Sequence, residues 1–291
     1  MAYREELLEL PDGRTLEVAT MGEPSGATIF FHHGTPGTTR TVKSLSGLSD
    51  FGDFFLVTTS RPGYGASSRQ EGRSIASVIP DVNAALDHAG RDEYVALGWS
   101  GGGPHALASA ALDPRCQAAV TLASVAPADV DFDWTEGMGP ENLEEFALAK
   151  QGGPAYEELM AATGEFMGAA TKDNIIEMIA GLLSEPDRDA LADDETRELF
   201  VDGLRYGFAN DWRGYLDDNV ALLAPWGFDV GDITKPVHLF YGGEDLMAPA
   251  AHGRWLAAHI VNASVTERPD EGHLSIFLNH LDEVASALTA P

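Results

Sequence analysis

The sequence predicts an α/β fold with a mostly parallel central sheet and an inserted helical cap, and three observations support this prediction. Short apolar runs that suit buried strands alternate with stretches of helical periodicity, as in parallel sheets covered by helices. This strand pattern is absent between residues 127 and 230 and returns after them. The chain has 291 residues, of which 44% are hydrophobic and 22% charged, so it can bury a large core.

The first elements are two strand-like segments, residues 5–10 and 14–21, on either side of Pro11-Asp12-Gly13. Proline, aspartate and glycine favour tight turns, so these segments predict an opening β-hairpin. Apolar runs predict further strands at residues 27–33, 54–59, 94–98, 118–123, 236–241 and 263–267. Helical spacing of apolar residues predicts helices at residues 74–89, 101–112, 249–260 and 275–288.

The segment 127–230 is predicted to form a helical cap on a core made of residues 1–126 and 231–291. Its helical patches fall at residues 143–150, 174–183 and 193–206. It is also strongly acidic, with 24 acidic and 6 basic residues. Because strands resume after it, we expect an insertion into one domain rather than a second domain in tandem.

The charge of the chain limits its partners. The formal net charge is −28, so nucleic acid and anionic membrane surfaces would be repelled. Cys116 is the single cysteine, which excludes a disulfide within the chain and fits a reducing compartment. No apolar run approaches the ~18 residues of a membrane span, and the N-terminus lacks the apolar centre of a signal peptide. We therefore expect a cytoplasmic protein that acts on a small molecule; its oligomeric state is open.

A candidate nucleophile lies in the sequence GWSGG at residues 98–102, which matches the pattern G-x-S-x-G. The pattern directly follows a predicted strand and directly precedes a predicted helix. A serine on such a sharp turn projects its hydroxyl, and bulky neighbours would clash, which explains Gly98 and Gly102 around Ser100. A phosphate-binding loop is the alternative, but the Walker lysine and the full G-x-G-x-x-G spacing are missing.

This strand–GWSGG–helix unit resembles the nucleophile elbow of the α/β-hydrolase superfamily, and two other segments strengthen the resemblance. Residues 33–37 (HGTPG) resemble the HGxPG loop after the third strand of that family. Residues 60–67 (SRPGYGAS) resemble its D-R-P-G-Y-G-x-S loop after the fourth strand. One departure is visible, since Ser60 stands where the family has an aspartate and Arg61 loses that acidic neighbour.

The resemblance implies a serine hydrolase in which Ser100 attacks an acyl carbon. Acyl transfer places negative charge on a carbonyl oxygen, which two backbone N–H groups usually stabilise. One of these should belong to Gly101, the residue after the nucleophile, and the resemblance implies that the other belongs to Thr35. The resemblance implies no cofactor. The sequence has no H-x-x-H motif and no cysteine cluster, so a metal site has no support.

The candidate base is His273. In this fold the chain order is serine, acid, histidine, and His273 lies in a polar loop between a predicted strand and the last predicted helix. That is where the resembling family has its histidine. His252, His259 and His280 follow the nucleophile too, but they fall within predicted helices, where packing or solvated histidines are expected.

The candidate orienting acid is Asp245, which follows a predicted strand in a glycine-rich turn. Its role would be to hold the tautomer of the histidine ring and to stabilise the imidazolium. Two alternatives stay open at this point. Glu244 is adjacent, although the family pattern favours position 245, and Asp129 follows an earlier strand, a placement that some family members use.

Two residues are assigned to substrate binding, Trp99 and His33. Trp99, inside the elbow, should lie near the acyl group of the substrate. His33 should brace the oxyanion loop beside the pocket. Aromatic and methionine side chains of the cap would cover Ser100 and exclude water, which suggests a small, mainly apolar ester or related acyl compound as substrate.

Other functions are compatible with the sequence. HGTPG is similar to the corresponding loop of prolyl aminopeptidases, and carboxylates of the acidic cap could hold a substrate ammonium group. Those enzymes usually have the elbow G-x-S-W-G, whereas here Trp99 precedes Ser100. The same catalytic residues could also serve a lyase, a cofactor-free peroxidase or an acyltransferase. A binding receptor on this scaffold is disfavoured, because it would not need serine, aspartate and histidine together.

Overall fold

The computed structural model of the chain describes residues 2–289, and its strands form one eight-stranded sheet. The strands are β1 (Tyr3–Glu9), β2 (Thr15–Gly22), β3 (Ala27–His32), β4 (Phe54–Thr59), β5 (Tyr94–Trp99), β6 (Cys116–Leu122), β7 (Val237–Gly242) and β8 (Ala263–Arg268). Their order in the sheet is β1-β2-β4-β3-β5-β6-β7-β8. β2 pairs antiparallel with β1 and β4, and every other pair is parallel. The predicted mostly parallel sheet is confirmed.

The predicted opening hairpin is present. Tyr3 lies opposite Met21 and Glu9 lies opposite Thr15 in the antiparallel register of β1 and β2. Gly13 has a φ of 84°, a backbone conformation that favours glycine in the turn between the two strands.

The α-helices of the described chain are α1 (Ile79–His88), α2 (Gly103–Leu112), α3 (Pro140–Gln151), α4 (Pro154–Gly168), α5 (Ile175–Met178), α6 (Glu185–Ala190), α7 (Asp194–Gly207), α8 (Arg213–Leu223), α9 (Ala250–His259), α10 (Ser275–Leu278) and α11 (Leu281–Thr289). A 3₁₀ helix at Thr39–Asp50 has no counterpart among the predicted elements. Another 3₁₀ turn at Ile75–Val78 precedes α1, where the sequence predicts one continuous helix.

The predicted helix at residues 275–288 is two helices, α10 and α11. The break falls at Asn279 and His280, so the prediction that His280 lies within a helix is wrong. The His280 ring contacts Glu271 (Nε2···Oε1 2.8 Å) and Glu283 (Nδ1···Oε1 3.1 Å).

Residues 127–230 contain helices α3 to α8 and, within the described chain, no strand. The predicted patch at 143–150 falls within α3, and the patch at 193–206 matches α7 except for Asp193, the N-cap of that helix. In the patch at 174–183, only Ile175–Met178 is α-helical. The sequence does not predict α4, α6 or α8. The exact limits of core and cap stay a prediction.

Each face of the sheet has its own apolar layer. Along β3, Ile29 and Phe31 pack into one layer and Phe30 into the other, and all three are fully buried. This is the pattern of a strand covered on both faces. Within residues 2–289, no helix is both long enough and apolar enough to cross a membrane.

Candidate active site

Ser100 lies on a strained turn between β5 and α2. Its φ is 56°, in the left-handed region that a non-glycine residue adopts at a cost of about 1–3 kcal/mol. Neighbouring glycines allow this turn, because a methyl group on Gly98 would lie 2.9 Å from Ala106 Cβ. A methyl group on Gly102 would lie 2.5 Å from the carbonyl oxygen of His33. The elbow can therefore form only with the small residues that the sequence provides.

The structure brings His273 and Asp245 together at the carboxyl end of the sheet. His273 Nδ1 lies 2.8 Å from Oδ2 and 3.0 Å from Oδ1 of Asp245, and both side chains are buried. Since a carboxylate only accepts hydrogen bonds, Nδ1 carries the proton and Nε2 is left unprotonated in the neutral ring. Asp245 Oδ1 also accepts 2.8 Å hydrogen bonds from the backbone N–H groups of Met247 and Ala248, which hold the carboxylate in place.

Burial and the neighbouring negative charges shift the pKa of the His273 ring in opposite directions. Burial of the ring by itself lowers its pKa, but the charge and hydrogen bond of Asp245, together with the charge of Asp187, outweigh burial. The result is a pKa above the ordinary value of 6.5. The ring is thus a stronger proton acceptor than a free imidazole, as a general base requires.

The alternative acids lie elsewhere. Glu244 and Asp129 are exposed, and the ring of His273 hydrogen-bonds to neither of them. Among the other histidines, His252 is buried in α9 and accepts a hydrogen bond from the N–H of Ala126 (3.1 Å). Of the candidates, only Asp245 contacts His273.

Ser100 and His273 line the same cavity, which has a volume of about 140 Å³. Within the described chain no hydrogen bond joins their side chains. Such bonds are often long in unliganded enzymes and tighten when substrate binds. The proposed nucleophile and base thus line one cavity, although their side chains do not form a hydrogen bond in this structure.

The two predicted oxyanion residues, Thr35 and Gly101, also line this cavity. They are close neighbours, since a methyl group on Gly101 would lie 2.7 Å from Thr35 Cβ and 3.4 Å from Thr35 N. Thr35 Oγ1 donates a 2.8 Å hydrogen bond to Asp218 and accepts one of 2.9 Å from Arg61 Nη2. The loop that bears Thr35 is therefore fastened through its side chain.

The acidic partner of Arg61 lies in segment 127–230. Asp218 of α8 accepts hydrogen bonds from Arg61 Nε (3.1 Å) and Nη2 (2.6 Å), and it pairs with Arg73 Nη1 at 2.5 Å. Arg61 also donates to the carbonyl oxygens of His33 (2.5 Å) and Gly34 (2.8 Å). Burial alone would raise the pKa of Asp218, but the two guanidinium groups hold it well below its ordinary value.

Ser60, which replaces the aspartate of the family pattern, has a different partner. Its hydroxyl donates a 2.5 Å hydrogen bond to Glu17 of β2 and accepts one of 3.0 Å from the N–H of Thr39. Glu17 also accepts a hydrogen bond from Tyr206 of α7. The acidic group near this loop is thus supplied by another strand.

Trp99 and His33 differ in their relation to the cavity. Trp99 lines it, stacks on Phe277 with 4.7 Å between ring centroids, and donates from Nε1 to the carbonyl oxygen of His273 (3.2 Å). His33 is fully buried next to the loop that bears Thr35 and is not part of the lining. Its Nε2 accepts a hydrogen bond from the N–H of Arg61, so its contacts suit bracing rather than direct contact with substrate.

The cavity lining contains one carboxylate that the sequence did not single out, Glu145 of α3. Among the described residues that line the cavity, no other is acidic and none is Lys or Arg. Glu145 accepts hydrogen bonds from Tyr215 Oη (2.7 Å) and Asn219 Nδ2 (2.5 Å). Burial raises its pKa to about 7, against which these two hydrogen bonds act. Much of the remaining lining is apolar, including Val125, Phe146, Met167, Ile179, Phe200 and Met247.

No group of three or more His, Cys, Asp or Glu side chains within residues 2–289 has the arrangement of a metal site.

A family model described as alpha/beta hydrolase fold matches residues 27–280. The chain belongs to the α/β-hydrolase fold family. This result confirms the predicted fold and the prediction of a hydrolase enzyme of this family.

Curated relatives of this α/β hydrolase include esterases. A pimeloyl-[acyl-carrier protein] methyl ester esterase of Chromobacterium violaceum is 29% identical over 230 residues, which cover 78% of this chain and 79% of that protein. An uncharacterised hydrolase of Bacillus subtilis is 26% identical over 271 residues, covering 90% and 89% of the two chains. Among solved structures, an esterase from Exiguobacterium antarcticum superposes with a TM-score of 0.66 at 18% identity, covering 98% and 97%.

Proposed function

We propose that this α/β hydrolase is a serine esterase that cleaves a small, mainly apolar carboxylic ester through an acyl-enzyme. The observation that supports this most directly is the Asp245–His273 pair at the cavity that Ser100 lines. The mostly apolar lining favours an aliphatic or aromatic acyl group. The name of the Chromobacterium violaceum relative, a methyl ester esterase, also favours an ester over other acyl compounds.

The proposed reaction begins with proton transfer from Ser100 Oγ to His273 Nε2 while Oγ attacks the acyl carbon. The carbonyl electron pair moves onto oxygen, where the N–H groups of Thr35 and Gly101 stabilise the negative charge. The tetrahedral intermediate then expels the alcohol, which takes its proton from His273. Water repeats the same steps on the acyl-enzyme, releases the acid and restores Ser100. Asp245 stays ionised throughout and stabilises the imidazolium.

This proposal is tested with p-nitrophenyl acetate, butyrate and octanoate, beside proline p-nitroanilide, on wild type and Ser100→Ala. We expect wild type to hydrolyse the esters and the variant to lose roughly 10⁴-fold or more in kcat, since the catalytic residues act as a unit. The preferred chain length would report the size of the acyl pocket. Substantial ester hydrolysis by Ser100→Ala would refute Ser100 as the nucleophile.

Glu145 supports a second candidate function, a prolyl-type aminopeptidase. It places a buried carboxylate without a cationic partner, within the described chain, on the lining of the cavity that holds Ser100. Such a group suits the ammonium of a free amino terminus. Cleavage of proline p-nitroanilide, lost in Glu145→Gln but kept in Glu144→Gln, would support this candidate. Glu144 is the exposed neighbour on the same helix and serves as the matched control.

A further inference from the structure

A second carboxylate holds the segment of His273, and it comes from the cap. Asp187 lies in α6, and its side chain is fully buried. Its Oδ2 accepts a 3.1 Å hydrogen bond from the backbone N–H of His273. Its Oδ1 accepts from the N–H groups of the next two residues, Leu274 (2.7 Å) and Ser275 (3.0 Å). Three consecutive amides, beginning with that of the candidate base, thus converge on one carboxylate.

Close packing at Gly272 fits the same arrangement. A methyl group on Gly272 would lie 2.6 Å from Asp187 Cγ and would also collide with Ser184 Oγ. The residue before His273 therefore has to be glycine for the cap segment to approach this closely. Ser184 also donates a 3.0 Å hydrogen bond to Asp187 Oδ2, which fixes the carboxylate from its own side.

Among residues 2–289, the charge of Asp187 has no basic partner. Within the described chain it forms no ion pair, so backbone amides and one hydroxyl supply its stabilisation. Hydrogen bonds of backbone N–H groups to a carboxylate are charge-assisted and strong. The negative charge also reaches His273, where it adds to the larger effect of Asp245 in raising the pKa of the ring.

We propose that Asp187 is a positioning residue, which holds the main chain of His273 so that the ring keeps its place in the cavity beside Ser100. Asp245 holds the ring at Nδ1, and Asp187 holds the same residue at its backbone. The inference rests on the proposed role of His273 as general base. It also gives the cap a second task besides covering the cavity, because displacement of α6 would release three amides of the catalytic segment.

The test compares Asp187→Asn with Asp189→Asn, an exposed position on the same helix. Asparagine keeps the size of the side chain but removes its charge and turns an N–H donor towards the amides. We expect Asp187→Asn to lower kcat for p-nitrophenyl butyrate roughly ten- to hundredfold, the effect of a slightly misplaced group, with a smaller change in KM. We expect Asp189→Asn to behave as wild type.

The readout that separates positioning from folding is the pKa of the His273 ring, measured by NMR titration. It should be lower in Asp187→Asn than in wild type, since a negative charge near the imidazolium is gone. Activity should be normalised to active sites counted with a fluorophosphonate probe. A variant with the wild-type His273 pKa, or with wild-type kcat per titrated site, would overturn the proposal.

Ser184→Ala covers the case in which Asp187→Asn does not fold. It removes one of the four hydrogen bonds of Asp187 and leaves the charge, so kcat should fall a few-fold while the His273 pKa stays unchanged. A folded Ser184→Ala with wild-type kcat per site would count against the proposal. The NMR titration does not depend on turnover. It judges Asp187 even if Ser100→Ala retains activity and the proposed esterase mechanism fails.

Discussion

Asp218 and Glu145 are two buried carboxylates of segment 127–230, and their partners differ in charge. Helix α8 contributes to both places, because it bears Asp218 and also the donors to Glu145. Asp218 of α8 faces the guanidinium groups of Arg61 and Arg73. The next residue of α8, Asn219, donates instead to Glu145, whose other partner is the hydroxyl of Tyr215. Within the described chain, Glu145 has no cationic partner at all.

The difference shows how the same side-chain chemistry serves two purposes. The charge of Asp218 is compensated by two cations, so its pKa lies well below the ordinary value and the group can act as a fixed support of the loop that bears Thr35. Glu145 is buried with only neutral donors, and its pKa rises to about 7. A buried carboxylate that is paired with cations stabilises the structure. A buried carboxylate that lines a cavity without a cationic partner can still bind a positively charged ligand.

The largest effect should come from Asp245, the carboxylate that contacts the proposed base His273. Asp245→Asn should lower kcat by about 10⁴-fold, because the wrong tautomer of His273 would face Ser100. Asp129→Asn is the matched control and should change kcat only slightly, since Asp129 is exposed. Ester hydrolysis by active-site-titrated protein measures both variants. The reverse order of effects would move the orienting acid to the earlier strand.

The next largest effect should fall on the compensated side of the comparison. Asp218→Asn leaves Arg61 and Arg73 buried without a countercharge, which should lower the free energy of unfolding by about 3–5 kcal/mol. Asp217→Asn, one residue away, is the control. Asp217 is buried as well, but its partner Arg69 is 32% exposed and can be solvated when the carboxylate is lost, so Asp217→Asn should cost less than Asp218→Asn. Urea denaturation gives both values, and equal losses would contradict the distinction.

The pH dependence of stability should differ in sign between the two carboxylates. The pKa of Asp218 is lowered by folding, so its contribution is present above the unfolded pKa of about 3.9 and is lost as pH falls towards the folded pKa. Folding raises the pKa of Glu145 from 4.5 to about 7, so this group lowers stability as pH rises through that interval.

Glu145→Gln should remove the loss of stability that ionisation of Glu145 causes as pH rises. Relative to wild type, the variant should gain stability between pH 5 and pH 8, by on the order of 3 kcal/mol from ~1.4 kcal/mol per pKa unit. Thermal or urea unfolding at the two pH values measures this gain, with Glu144→Gln as the control. If the difference in the free energy of unfolding between Glu145→Gln and wild type were the same at both pH values, the pKa of Glu145 would not be raised by folding.

The smallest effect concerns the pH profile of the reaction, which should depend on His273 and not on Glu145. The acidic limb of kcat/KM should have its midpoint above 6.5, because His273 must be neutral to accept a proton and its pKa is raised. Glu145→Gln should leave this midpoint in place, since Asp245 and Asp187 are the carboxylates that raise the pKa of His273. A midpoint at or below 6.5 in wild type would contradict the assignment of the base.

The sequence by itself determined the α/β fold, the elbow at Ser100 and the position of the His273 loop. Each depends on a local pattern: apolar runs make buried strands, glycines at 98 and 102 permit a turn that larger residues would block, and a polar loop between a predicted strand and the last predicted helix marks His273. The sequence did not predict where the last helix is interrupted. Apolar periodicity runs through residues 275–288 and does not reveal the break at Asn279 and His280, where the His280 ring contacts Glu271 and Glu283.

Only the tertiary structure decided which carboxylates support the site. The sequence left three acids open for His273, and it marked none of Glu145, Asp187 and Asp218 among the 24 acidic residues of segment 127–230. Asp218 reaches Arg61 across 157 positions of the chain, and Asp187 reaches His273 across 86. The physical reason is that an ion pair or a set of amide hydrogen bonds depends on which faces of short helices meet the core. A local sequence pattern describes the face of one helix by itself, whereas its contact with a distant part of the core forms only when the chain packs.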